Sequence, residues 1–242
     1  VNSISSYAFI GCSSLDAIEV DSLNSNYKDI NGVLFNKTGN ILIRVPDKRI
    51  SNGTFLIPSG VTTINSWAFC NCGNLKNIVI PSGVTSIGDG VFNSCTNLKS
   101  IEIQPGIISI EYYSFYNCSS LESIKIPSSV TTIDDSVFEN CSSLKSIEIP
   151  SGVTNIGFKT FCGCSSLESI EIPSGVKGIS QFAFLNCTNL STVRVKDLNT
   201  SLTYGGFDNC TKLTKIEVPS VSLSKYQKAR IWEAYASIII GF

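Results

Sequence analysis

From residue 58 to residue 218 one pattern of apolar and polar positions returns every 23 residues. Cysteines stand at Cys72, Cys95, Cys118, Cys141, Cys164, Cys187 and Cys210. A phenylalanine lies three residues before each, from Phe69 to Phe207, and a leucine three residues after, from Leu75 to Leu213. An alternating apolar pair follows, such as Ile147 and Ile149. Alternation of this kind encodes a short strand with one buried face. The strand runs into a turn, usually Pro-Ser-Gly as at Pro150-Ser151-Gly152, where proline ends the ladder and glycine relaxes the backbone. A second extended piece follows, as at 153–156. The few residues left before the next Phe-x-x-Cys are too short for an α-helix and predict a 3₁₀-like turn.

A single unit of this kind cannot bury its apolar face, but stacked units cover one another. The pattern therefore predicts a right-handed, β-rich superhelix: a long parallel sheet of short strands ~4.8 Å apart, with short 3₁₀ or turn segments opposite. Each apolar column becomes an internal ladder. Truncating one rung, as in Leu144→Ala, should cost ~2–5 kcal/mol.

Two regions depart from the period. An eighth unit near the start carries Phe9, Cys12, Leu15, Ile18 and Val20, and an irregular coil over 21–57 separates it from the regular repeats of 58–218. Within it, "NGVLFNKTGNILIRV" predicts a β-hairpin turning at 36–40 and projecting from the solenoid edge. At the other end, 219–242, Ser224 can cap a helix whose Tyr226, Ala229, Ile231, Trp232 and Tyr235 cover the last coil. Val1 occupies the repeat position of Val61, Val84 and Val153, so the chain is expected to enter in mid-repeat. The whole of 1–242 reads as one solenoid domain.

Composition narrows the function. Eighteen basic residues against nineteen acidic ones give a net charge of −1, with no basic field for nucleic acid. No apolar run reaches the ~18 residues of a membrane-spanning helix, so no membrane insertion by this segment is expected. Histidine is absent, which removes the commonest general base and metal ligand together. No catalytic residue, metal site or cofactor is assigned.

The stretch "IPSGVTSIGDGVFNSCTNLKSIEIP" resembles the BspA-like leucine-rich repeat. "NYKDINGVLFNKTGNILIRVP" and "YQKARIWEAYASIII" are similar to that family's inserted unit and terminal helix. The resemblance implies a leucine-rich-repeat solenoid, an extracellular or cell-surface location, and a non-catalytic protein-binding or adhesive role. It implies a protein or glycan partner, with host extracellular-matrix proteins among the candidates. The alternative is a structural spacer in a longer surface protein. The turn consensus shifts at Gln104-Pro105 and is lost over 196–199.

The column cysteines admit several readings. A small buried hydrophobe with a weak donor is favoured. Disulfides between coils are not excluded by Cα spacing, but parallel Cβ vectors ~4.8 Å apart exceed the ~3.8 Å a bridge prefers. The two C-x-C pairs, Cys70/Cys72 and Cys162/Cys164, lack both the spacing and the histidine of a metal site, and a catalytic thiol would lack its base.

Two surfaces are candidates for binding. Along the outward face of the strands run Glu102, Lys125, Glu148, Glu171, Arg194 and Glu217, with Lys76, Lys99, Glu122, Lys145 and Glu168 in a second row. Opposite charges on neighbouring coils favour cross-strand pairing, at ~0.2–1 kcal/mol a pair, over a ligand site. The second surface holds the aromatics Tyr112, Tyr113 and Tyr116, with Trp67, Phe158 and Phe182 at related positions. They are either contact hot spots or a second packing layer. Paired carboxylates for glycoside hydrolysis would have to come from Asp89, Asp134 and Asp135.

Overall fold

The computed structural model describes residues 1–12 and 14–242. Successive coils stack in register. Phenylalanine rings from Phe69 to Phe207 form a continuous column with centroids 5.1–5.5 Å apart and planes within 25°. That spacing slightly exceeds the strand repeat because offset rings slide past face-to-face contact. Column leucines and cysteines from Cys72 to Leu190 are fully buried beside them.

Three ladders enclose the column. The wide sheet holds the strands Asn77–Ile80, Ser100–Ile103 and Ser123–Lys125, then Ser169–Ile172, Thr192–Val195 and Lys215–Val218. Neighbours pair parallel, for example Ile78↔Ile101↔Ile124 and Ile170↔Val193↔Ile216. The narrow sheet consists of two-residue strands such as Thr63–Ile64, Ser86–Ile87 and Gly178–Ile179. The third ladder is the phenylalanine turn, where Phe92 N–H donates to Ser114 O and Phe115 N–H to Val137 O, both at 2.9 Å. Within each turn the cysteine N–H reaches back to the phenylalanine carbonyl, the 3₁₀-like segment the sequence predicts (Cys95 to Phe92, 3.1 Å).

The wide sheet is not continuous. Residues 146–149 form no strand and exchange no backbone hydrogen bond with either neighbour. The narrow sheet separates at the same junction, between Thr132–Ile133 and Asn155–Ile156, and once more between Ser86–Ile87 and Ser109–Ile110. Ile124, Ile126 and Ile147 are half-buried there, whereas Ile101 and Ile170 are buried. Stacking on the phenylalanine side persists across the gap, with Phe138 and Phe161 5.5 Å apart.

The insertion is more than a hairpin. Strands β1 (Tyr27–Ile30), β2 (Val33–Asn36) and β3 (Ile41–Arg44) form an antiparallel meander. A two-residue turn at Asn31-Gly32, both left-handed, joins β1 to β2. β3 then pairs parallel with Thr63–Ile64, placing Leu42 in line with Ile64 and Ile87. The insertion therefore continues the narrow sheet instead of projecting from it, because Leu34, Phe35 and Leu42 must be buried.

The C-terminal cap also differs from a single helix. After the 3₁₀ turn Ser220–Ser222, helix α1 covers only Leu223–Lys228, and Ser222, not Ser224, sits at its N-cap with no side-chain capping bond. The chain breaks at Ile231 (φ 73°), makes the 3₁₀ segment Trp232–Ile238, and ends in the strand Ile239–Gly241 paired to Lys215–Val218. Six residues on an unbroken helix would set Tyr226 and Trp232 about 240° apart. The break lets both face the last coil. Trp232 closes the phenylalanine column 6.1 Å from Phe207. Its Nε1–H donates to Thr200 O, and Tyr226 Oη donates to Asp197 O and accepts from Thr200 N–H (all 2.8–2.9 Å). These bonds satisfy the turn at 196–199 that has lost its consensus.

Candidate functional site

The column cysteines have a definite structural task. Each thiol from Cys95 to Cys210 donates to the carbonyl of the phenylalanine in the preceding coil at 3.0–3.2 Å; Cys95 reaches Phe69 O, and Cys141 reaches Phe115 O. Cys72 makes the same contact to Val45 O at 3.5 Å. From Cys95 on, the thiol is a second donor to a buried carbonyl that already accepts the cysteine N–H of its own turn, and fills the remaining lone pair. All ten cysteines are free thiols, and only Cys12 is exposed. Burial pushes Cys72 and Cys118 up to about 12 and raises Cys95, Cys141 and Cys164 as well. These thiols are inert packing elements.

On the outer face of the wide sheet the charged row is partly self-paired. Lys125 Nζ lies 2.9 Å from Glu102, its register partner, and Arg194 Nε 3.7 Å from Glu217, also its partner. Glu171 is drawn to Lys196 (2.6 Å) instead of the facing Arg194, whose guanidinium lies 4.1 Å from the centre of the Phe242 ring. Glu148, on the unpaired segment, has no ion-pair partner among the described residues, and neither has any member of the second row. Exposed pairs like Glu102–Lys125 add at most ~1 kcal/mol each.

Beside Glu102 the same face becomes apolar. Leu56 and Val79 are 89% and 51% exposed and, with Phe55, Ser100, Glu102 and Lys125, line an open concavity of ≈ 500 Å³. Leu56 was not singled out from the sequence. Its signal was present in the strand-like alternation of Phe55-Leu56-Ile57, which buries Ile57, half-buries Phe55 and turns Leu56 outward.

The aromatic flank lies on the turn side. Tyr112 and Tyr113 are 45% and 43% exposed, and Tyr116 is half-buried. Tyr113 and Tyr116 meet edge to face at 5.9 Å. Trp67 lies against Gly90 of the next coil, where a Cβ would fall 2.4 Å from the indole ring, and Phe182 covers Gly205 in the same way. Some of these aromatics are therefore a second skin over backbone glycines. Asp89, Glu111, Asp134 and Asp135 gather nearby. Burial, then the hydrogen bond and charge of Glu111, raise Asp134 to about 6. Asp135 is instead occupied in accepting the Phe158 N–H at 2.7 Å. The concavities at Leu56/Val79 and at Trp67/Tyr113 are lined by residues other than these carboxylates. Among the described residues, no group of three histidine, cysteine or carboxylate side chains is arranged to hold a metal ion, and no helix is long and apolar enough to cross a membrane.

Stacked 23-residue coils that share one buried core define a repeat solenoid, a class whose surfaces bind or space and generally do not catalyse. The family model of the BspA type leucine rich repeat region matches residues 1–56, 48–167 and 132–231 in six copies, and the chain belongs to that family. Among solved structures it is similar to the T. pallidum leucine rich repeat protein, with 28% identity, TM-score 0.66, and coverage of 87% of this chain and 95% of that one. A leucine rich cell surface protein of Faecalibacterium prausnitzii is 27% identical, with TM-score 0.57 and coverage of 97% and 66%. A leucine-rich repeat protein of Eubacterium ventriosum is 29% identical with TM-score 0.62; 73% of this chain aligns with 54% of that one, so the match spans about half the relative's length. No curated protein matches the chain.

Proposed function

We propose that the chain is a non-catalytic protein-binding module of a secreted or cell-surface protein, and that it engages its partner through the outer face of the wide sheet. The observation that carries this reading is the exposed Leu56–Val79 patch, set directly against the Glu102–Lys125 pair on a rigid strand ladder. An apolar centre with a charged rim is the anatomy of a protein contact, and its shallow form suits a protein surface better than a small molecule. The surface-protein relative from F. prausnitzii supports the location.

The test is retention of immobilised fibronectin, laminin and collagens by the intact chain and by a Leu56→Glu/Val79→Glu variant. Retention of at least one of them, lost in the variant without a change in melting temperature, is expected. Retention of none, or equal retention by the variant, would overturn the sheet-face reading and leave the chain a spacer.

A further inference from the structure

In each coil one residue, two before the column phenylalanine, adopts left-handed backbone: Trp67, Gly90, Tyr113, Ser136, Lys159 and Phe182 have φ between 53° and 62°, and Gly205 has 72°. This column and the one beginning at Asn93 border a shallow groove of ≈ 400 Å³ lined by Trp67, Asn93, Tyr113, Tyr116, Glu139 and Lys159. From Trp67 to Lys159 it spans four coil steps, ~19 Å at the strand repeat. Arg44, buried, donates to the Trp67 carbonyl at 2.9 Å and helps hold the Trp67 backbone in place.

The polar groups of this groove are left over by the fold. Among the described residues, the Trp67 indole N–H and the Tyr113 and Tyr116 hydroxyls make no protein hydrogen bond. The Asn93 side-chain oxygen accepts from Ser94 Oγ at 2.9 Å, but its amide nitrogen has no acceptor. Glu139 and Lys159 neutralise each other at 3.4 Å. The groove thus offers an aromatic pair with polar tips, unpartnered N–H and O–H donors, and no net charge. Its chemistry matches a sugar ring, whose C–H face lies on an aromatic ring while its hydroxyls take up donors and acceptors at the rim. It does not match a sulfated or phosphorylated polymer. Such a ligand would meet no excess cation here, and would meet Asp89, Glu111, Asp134 and Asp135 close by. Nor is there a closed apolar hole to take a peptide side chain as an anchor.

We propose that this flank binds a neutral glycan laid along the solenoid axis, with a pyranose ring on the Tyr113–Tyr116 pair and its hydroxyls on Asn93, Trp67 and Glu139. The site lies on a different side of each coil from the Leu56–Val79 patch and stands independently of it.

The test is an array of neutral and sulfated oligosaccharides probed with the intact chain, followed by titration with cellohexaose, maltohexaose and mannohexaose read by tryptophan fluorescence. Trp67 would report binding, since Trp232 is buried in the cap. Retention of a neutral glycan that survives high salt is expected. Tyr113→Asn combined with Tyr116→Ala should weaken it about tenfold or more, because asparagine tolerates the left-handed backbone while removing the ring. That variant should melt as the parent does, and Val79→Glu should bind as the parent does. Failure to retain any neutral glycan, equal affinity in the tyrosine variant, or retention of sulfated glycans alone with loss in salt would each overturn the proposal.

Discussion

The thiol ladder should make stability collapse in alkali. Cys72, Cys95, Cys118, Cys141 and Cys164 are fully buried, and burial holds their titration well above the ordinary value of 9.0. A group whose folded pKa is raised keeps its proton longer in the folded state. Its contribution is therefore complete below pH 9 and is lost as pH climbs toward 12. At pH 10 an unfolded thiol is mostly ionised while a folded one is not, a penalty on the order of 1 kcal/mol each. Five such thiols together amount to roughly 5 kcal/mol, a large part of the stability of an ordinary domain at ~5–15 kcal/mol. The assay is the urea midpoint at pH 7 and pH 10 under reducing conditions, for the parent and for Cys141→Ser. Serine can donate to Phe115 O in place of the thiol but does not titrate. The variant should be weaker at pH 7, yet lose less than the parent between the two pH values, by on the order of 1 kcal/mol. Lysine and tyrosine titration is common to both proteins and cancels. Equal losses in parent and variant would refute the reasoning.

Three other outcomes follow from the packing. Phe138→Ala, which removes a ring stacked on both Phe115 and Phe161, should cost ~3–5 kcal/mol in a urea melt. Asp134→Asn should raise the melting temperature at pH 7 and give no gain at pH 4. The Asp134 carboxylate is disfavoured by burial, Glu111, Asp135 and Asp89, and that cost appears only as pH rises from the ordinary aspartate value of 3.8 through about 6. Amide hydrogen exchange at residues 146–149 should be faster than at Ser169–Ile172, since the first segment lacks ladder bonds and the second has them.

The candidate surfaces were only partly legible in the chain. Column membership located Glu102, Lys125 and Tyr113 on their faces, because period 23 turns position in sequence into position on a coil. Pairing between neighbouring coils was legible for Glu102–Lys125 and Arg194–Glu217, but not for the rest. Lys196 takes Glu171, and Arg194 is shared between Glu217 and Phe242, because long side chains choose partners by reach across coils and not by register alone. The cap shows the same limit. Helical periodicity marked Tyr226 and Trp232 correctly as buried, but the demand that both satisfy the turn at 196–200 broke the helix between them.

The tetrapeptide Ser-Ile-Glu-Ile occurs three times, at Ser100–Ile103, at 146–149 and at Ser169–Ile172. Sequence alone determined that each would send its isoleucines inward beneath a leucine and a phenylalanine, because alternation and period act within a coil. It also determined that coils would stack, since none can bury its face unaided. Only the tertiary structure decided that the first and third copies are strands and the middle one is not. A ladder bond belongs to two coils at once, and whether it closes depends on how the neighbouring coils are spaced and aligned, which no single repeat encodes.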